Sequence, residues 1–172
     1  MSDLFHPNFT FKQVDKVVET MVNINRHIYQ VLTKRPERLI EYVNWCKENN
    51  RTYTLGNTKH IWMGVTVELP QYYNRIRLLS QVDLFPVKFL SIEPCLGSMP
   101  DIPLQDIDWV IVGGESVPGA RPMKVDWVRG IRDQILNQDI PFFFKQWGGV
   151  KDKRGQDKAI LDGRLHHDYP SI

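Results

Sequence analysis

The chain has 172 residues, of which 42% are hydrophobic and 24% are charged, and its formal net charge is +2. This balance predicts one soluble domain, residues 1–172, and argues against nucleic acid or an anionic membrane as partner. No apolar run approaches the roughly 20 residues of a membrane span, and the first residues lack the pattern of a signal peptide. Two cysteines are too few for a disulfide framework, so we expect a cytoplasmic protein.

Helices and strands are predicted to alternate along the chain. Thr10 and Gln13 have the spacing of a capping box and begin the first helix. Helices are predicted at 10–26, 36–50, 71–82 and 125–138, and strands at 27–33, 60–68, 86–94, 108–116 and 141–147. Strands separated by helices predict a parallel α/β sheet with helical crossovers. The polar tail, residues 148–172, contains Asp162-Gly163, a plausible hairpin turn.

Polar residues follow the carboxyl end of every predicted strand, where ligands bind in parallel α/β folds. These residues are Lys34, Thr66, Glu68, Ser91, Glu93, Gly113, Gly114, Glu115 and Lys145. Alternation along a strand places Thr66 with Glu68 on one face, and Ser91 with Glu93 likewise. Gly113 and Gly114 leave room for a ligand to approach the backbone. We therefore predict a site at which three carboxylates and two lysines converge.

The residue types at this site are compatible with more than one kind of chemistry. Glu68, Glu93, Glu115 and Lys145 are candidate acid–base groups, although Glu–Lys pairs are equally typical of structural ion pairs. Arg121 is either an anion clamp or a loop anchor. Adjacent histidines in a strand point to opposite faces, so the stretch His166-His167-Asp168 predicts a surface tail and no metal site.

Several blocks of the sequence resemble a phage-associated, uncharacterised family called phage protein gp thirty-seven / gp sixty-eight. The blocks are "MSDLFH", "QVLTKRPERL", "WMGVTVE", "FLSIEPCLG", "DWVIVGGESVPGARPM", "PFFFKQWGG" and "LDGR". The resemblance implies a radical-SAM-like (β/α) barrel, in which three cysteines hold an iron–sulfur cluster that cleaves S-adenosylmethionine. It also implies that Glu68, Ser91, Glu93 and Glu115 line the cofactor or substrate cavity.

The chain departs from that family pattern at its start. The cysteine loop would precede Met1, so we expect an N-terminally truncated relative: a partial TIM-like barrel over residues 1–147, with about five strands. Cys46 and Cys95 are too few to replace the cluster ligands. We therefore expect no cofactor in this chain and no activity alone. The cluster and S-adenosylmethionine are implied only for full-length relatives.

Three functional interpretations follow. The first is the truncated radical-SAM-like protein, which keeps the ligand-facing strand ends and binds a small molecule. The second is a cluster-free enzyme that uses the strand-end carboxylates and Lys145. The third, weakest because of the small net charge, is a nucleic-acid or protein binding module with Lys34, Arg35 and Arg38 as its contact patch. The two outer strands also predict edge protection by the N-terminal segment, by the tail or by a second copy of the chain.

Overall fold

The computed structural model describes residues 3–149 and 159–171, and its centre is a five-stranded parallel sheet. The strands are β1 (Tyr29–Thr33), β2 (Ile61–Thr66), β3 (Val87–Ile92), β4 (Trp109–Gly113) and β5 (Phe142–Gln146). Each strand pairs with the next one in the chain, so the order is β1-β2-β3-β4-β5. The predicted parallel α/β sheet is confirmed, and β1 and β5 lie at opposite edges of an open sheet.

Helices separate most of the strands, as the hydrophobic spacing predicts, but a connection without a helix joins β3 to β4. They are α1 (Phe11–Asn23), α2 (Pro36–Glu48), α3 (Leu55–Thr58), α4 (Tyr73–Leu79) and α5 (Val125–Leu136), and a 3-10 turn (Pro70–Tyr72) precedes α4. The capping box at Thr10 and Gln13 is confirmed. Helix α3 was not predicted, because four residues are too few to show a helical period. Its start carries a second capping box, from Thr54 to Asn57.

One face of the sheet packs against the helices and forms the main core. On α2 the core side carries Leu39, Val43 and Cys46, which are all buried. In α5 Ile135 is fully buried, whereas the next residue, Leu136, is 36% exposed. Successive helical residues are about 100° apart, so both cannot face the sheet.

The opposite face carries a smaller aromatic cluster, and we call it the helix-free face because every member of that cluster is a strand residue. Trp62, Phe89 and Trp109 form its centre and are each 2% exposed. The Phe89 ring lies over Gly64, where an added Cβ would come within 2.6 Å of the ring atom Cε1. The small residue in β2 therefore lets the aromatic side chain of β3 lie flat on the sheet.

The tail protects the outer edge of β5. A two-stranded hairpin, β6 (Ile160–Leu161) and β7 (Arg164–Leu165), turns at residues 162–163. Beyond the hairpin, His167 pairs antiparallel with Phe143. The predicted tail, 148–172, lies only partly within the described residues. Within those residues, no helix has the length and apolar character needed to cross a membrane.

Candidate functional site

The carboxyl ends of the five strands meet at one edge of the sheet, which we call the rim. The register places Thr66 of β2 beside Ser91 of β3, and Ile92 of β3 beside Val112 of β4. The strand ends predicted from the sequence therefore lie on neighbouring, parallel strands. Their charged side chains, however, form three separate ion-paired groups.

The first group surrounds Glu68, just beyond β2. Its carboxylate, 10% exposed, binds the Lys34 ammonium and accepts a hydrogen bond of 3.0 Å from Arg75 Nη1. Arg75 also donates to the Thr66 carbonyl at 2.8 Å. Burial alone would raise the pKa of Glu68, but the hydrogen bond and charge of Lys34, with the charge of Arg75, hold it below its ordinary value. Glu68 is therefore an ionised acceptor and is poorly suited to act as a general acid.

The second group joins β3 to β5. Glu93 accepts a hydrogen bond of 2.9 Å from Lys145 Nζ and one of 3.3 Å from Gln146 Nε2, and Gln146 also donates to Ser116. The Glu93 side chain lies across Gly113, where an added Cβ would stand 3.2 Å from Oε1. The space beside this glycine is therefore filled by the carboxylate of the neighbouring strand.

At Gly114 the space for a side chain is occupied by backbone atoms of the neighbouring strand end. An added Cβ would lie 2.5 Å from the carbonyl carbon of Trp147 and 2.9 Å from the Gly148 nitrogen. The β4–β5 register shifts at Val112/Gly113, which brings the two backbones together at this point. The room that the sequence assigned to a ligand is here occupied by protein backbone.

The third group is the pair Glu115–Arg121. Both guanidinium nitrogens Nε (2.9 Å) and Nη2 (2.6 Å) of Arg121 donate to the Glu115 carboxylate, and the Arg121 amide adds a hydrogen bond of 2.9 Å. The side-chain hydrogen bonds of Arg121 are the main reason that the pKa of Glu115 falls to about 2. Of the two roles considered for Arg121, this geometry corresponds to the loop anchor.

A pocket of about 520 Å³ opens at the end of the rim formed by β1 and β2. Its strand-side wall contains Leu32, Thr33 and Thr66, and Lys34 and Arg35 follow β1 at the opening. The N-terminal segment contributes Asp3, His6, Asn8 and Phe9 to the lining. The volume is typical of small-molecule sites. The sequence identified Lys34 and Thr66, but not the N-terminal half of the pocket.

Asp3 fixes that N-terminal segment to the end of β1. Its carboxylate accepts hydrogen bonds from the Thr33 hydroxyl at 2.8 Å and from Arg35 Nη1 at 2.6 Å. Burial would raise the pKa of Asp3, but the hydrogen bonds from Thr33, Phe5 and Arg35 together lower it. Phe5 is fully buried beside Tyr42 and anchors the segment in the core. The aromatic residue Phe5, which precedes the first helix, was the feature of the sequence from which this packing could have been predicted.

The proposed basic patch is also neutralised by neighbouring carboxylates. Lys34 pairs with Glu68, Arg35 with Asp3, and Arg38 with Glu41 at 3.2 Å. Each of the three cations thus has an internal partner, which reduces the charge available to a phosphate backbone.

The cysteines do not fit an iron–sulfur cluster. Cys46 is buried on the core side of α2, and Cys95 is buried after β3, where its thiol donates to the Gly97 carbonyl at 3.6 Å. Burial raises the pKa of both thiols, to about 11 for Cys95, so the ligating thiolate is disfavoured. Within the described ranges, no three His, Cys, Asp or Glu side chains are grouped as metal ligands.

The Glu68 group allows a test by pH. At neutral pH we expect Glu68→Gln to lower the free energy of unfolding by about 1 to 2 kcal/mol, because two cations lose a charged acceptor. The pKa of Glu68 is depressed in the folded state, so its contribution is present above about 4.5 and is lost as the pH falls through the folded value. Urea unfolding at pH 7 and pH 3.5 should show the difference shrinking. Glu48→Gln, an exposed control, should change stability by less than about 0.5 kcal/mol at either pH.

The fold and the rim define an α/β protein with a pocket of about 520 Å³ at the carboxyl ends of parallel strands. A family model described as "Protein of unknown function (DUF5131)" matches residues 1–170, and the chain belongs to this family. None of the curated proteins matches the chain, and no solved structure matches it.

Proposed function

We propose that the protein binds a small molecule of about nucleoside size in the pocket between the N-terminal segment and the ends of β1 and β2. The single observation that carries this proposal is the pocket itself. It lies where parallel α/β folds bind their ligands, and its walls come from two distant parts of the chain held together by Asp3. The proposal concerns binding, since the carboxylates at the rim are ion-paired acceptors.

We propose further that the sheet is the wall of a partial (β/α) barrel related to radical-SAM-like proteins. The consecutive strand order supports this, because doubly wound sheets reverse their order at a switch point whereas barrels do not. The aromatic cluster of the helix-free face is also consistent, since the inner side of a barrel is packed with large side chains.

The lining of the pocket indicates what kind of ligand it takes. Phe9 and Leu32 offer apolar surface to a flat ring, while the hydroxyl of Thr66 and the amide of Asn8 offer hydrogen bonds. A nucleoside combines those two features. S-adenosylmethionine, which the family resemblance implies as a cofactor only for full-length relatives, contains an adenosine and therefore serves here as a nucleoside probe.

We expect S-adenosylmethionine to bind the full chain, and Leu32→Trp to weaken that binding at least tenfold because the indole fills the pocket. Titration calorimetry gives both dissociation constants. Val117→Trp introduces the same ring on the loop after β4, where Val117 is 48% exposed, and should leave binding unchanged.

Circular dichroism of both variants establishes that each remains folded. Equal affinity of the wild type and Leu32→Trp for S-adenosylmethionine would show that it does not bind in this pocket. No binding to the wild type at millimolar concentration would exclude S-adenosylmethionine as its ligand.

A further inference from the structure

Residues 164–169 form a strap along the outer edge of β5. The Phe144 amide donates to the His166 carbonyl at 2.8 Å, and the Asp168 amide donates to the Phe142 carbonyl at 3.2 Å. These two hydrogen bonds extend the parallel sheet by a short antiparallel strand. The edge that would otherwise be open to another chain is thereby occupied.

Alternate side chains of the strap reach opposite faces of the sheet, as strand geometry requires. His167 stacks on Phe143 at 4.5 Å, and Tyr169 packs at 5.3 Å from Trp109. The Trp109 indole also donates to the Asp168 carbonyl at 2.8 Å. The strap thus covers the β4–β5 side of the helix-free face.

His166 points to the other face, where it is 2% exposed and packs edge-on against Phe142 at 5.4 Å. Arg164 Nε donates to its ring nitrogen Nε2 at 3.3 Å. Only the neutral imidazole can accept this hydrogen bond, since both nitrogens of the imidazolium are donors. The docked strap therefore requires an uncharged His166.

The charged groups around His166 are mainly cationic. Arg164 of β7 and Arg132 of α5 both disfavour a positive charge on the ring, and Asp168 of the strap favours one. Asp162 lies beyond them, where its carboxylate is held by Arg132 and by Arg129 at 2.6 Å. Burial first, and then Arg164 and Arg132, lower the pKa of His166 below its ordinary value.

We propose that the strap is a pH-sensitive latch, which closes over β5 while His166 is neutral and opens when His166 takes up a proton in mildly acidic solution. Opening places the imidazolium in water and away from two arginines. It also frees the β5 edge and uncovers Trp109 and Phe143. The latch uses none of the residues of the β1–β2 pocket, so it stands independently of the proposed ligand.

The direction of the pH dependence follows from linkage. A free histidine titrates near 6.5, whereas the docked one titrates lower, so the open state binds more protons below that pH. The docked strap keeps its full stability above about pH 6.5. The opening constant then rises by up to about tenfold for each pH unit of acidification, until the docked histidine itself protonates.

Amide hydrogen exchange of the full chain between pH 7.5 and 5.0 tests the latch, after correction for the intrinsic exchange rates. We expect protection of the Phe144 and Asp168 amides to fall in the wild type, while amides of β2 and β3 stay protected. His166→Phe keeps a ring against Phe142 but cannot protonate, so its protection should not change with pH. His167→Phe, the matched control, keeps His166 and should behave as the wild type.

Three results would overturn the proposal. They are unchanged protection in the wild type, an equal loss in His166→Phe, and a parallel loss in β2 and β3, which would indicate global acid unfolding. If circular dichroism shows that His166→Phe does not fold, His166→Gln takes its place. Its neutral amide must give the same pH-independent protection.

Discussion

Replacing Gly114 with alanine is expected to lower the free energy of unfolding by about 3 kcal/mol, more than most single substitutions. The added methyl group would lie 2.5 Å from the carbonyl carbon of Trp147 and 2.9 Å from the Gly148 nitrogen. Backbone atoms cannot rotate aside as a flexible side chain would. The strands β4 and β5 must therefore separate at the rim, where Gly114 donates to the Gln146 carbonyl.

A second glycine provides the matched control. Gly130 lies on the exposed side of α5, and an added Cβ there meets no atom within 4 Å. Gly130→Ala should raise the free energy of unfolding by about 0.5 to 1 kcal/mol, because alanine is the better helix former. Urea unfolding of the two variants measures both changes. A Gly114→Ala protein as stable as the wild type would contradict the steric account of this glycine.

The same glycine shows where sequence reasoning reaches its limit. A continuous apolar run predicted β4, and the alternation of strands with helices predicted its parallel neighbours and their polar ends. That a ligand would occupy the space beside Gly113 and Gly114 was an interpretation of small side chains alone. Both the Glu93 carboxylate and the Trp147 backbone are distant in sequence, and only the register of the sheet brings them there.

The charged residues at the rim show a related limit. Strand alternation correctly assigned Glu68 and Glu93 to neighbouring strand ends. It carried no information about which cation would reach each carboxylate, since Arg75 comes from α4 and Lys145 from β5. A long side chain can form an ion pair with any of several groups within its reach, and the packing of the helices determines which pair forms. The predicted single cluster is therefore three groups in the structure.

The two ends of the chain were the parts least accessible to prediction. Nearly half of the residues that line the pocket come from the N-terminal segment, yet they lie outside any periodic segment: Asp3, His6, Asn8 and Phe9. The tail, which was predicted to be a surface segment and was one of three candidates for protecting a sheet edge, pairs with β5 and covers Trp109. The opposite orientation of His166 and His167 was predicted correctly from alternation alone. Local geometry was thus predictable in the tail, and its place at a sheet edge was one of three alternatives, whereas the aromatic side chains that it covers were not predicted.

Removing the carboxylate of Asp15 should cost the most stability of any polar substitution proposed here. Asp15 lies on α1, is 6% exposed, and accepts hydrogen bonds from the Tyr42 hydroxyl at 2.9 Å and the Tyr53 hydroxyl at 2.8 Å. It also pairs with Arg51 at 2.9 Å. Burial raises the pKa of Tyr53 to about 12, and it raises that of Tyr42 as well, so both hydroxyls remain donors at all working pH values.

Asp15→Ala leaves the fully buried Tyr42 hydroxyl without its acceptor and Arg51 without its buried counter-charge. We expect a loss of about 3 to 4 kcal/mol in the free energy of unfolding, as for other buried pairs that lose one partner. Glu19 is the other carboxylate that pairs with Arg51, and its side chain is 52% exposed. Glu19→Ala should therefore lower the free energy of unfolding by less than about 1 kcal/mol. Similar losses in the two variants would show that the network is no stronger than a surface ion pair. A large difference would establish that a buried acceptor on α1 holds this helix to Tyr42 of α2 and to Tyr53 and Arg51.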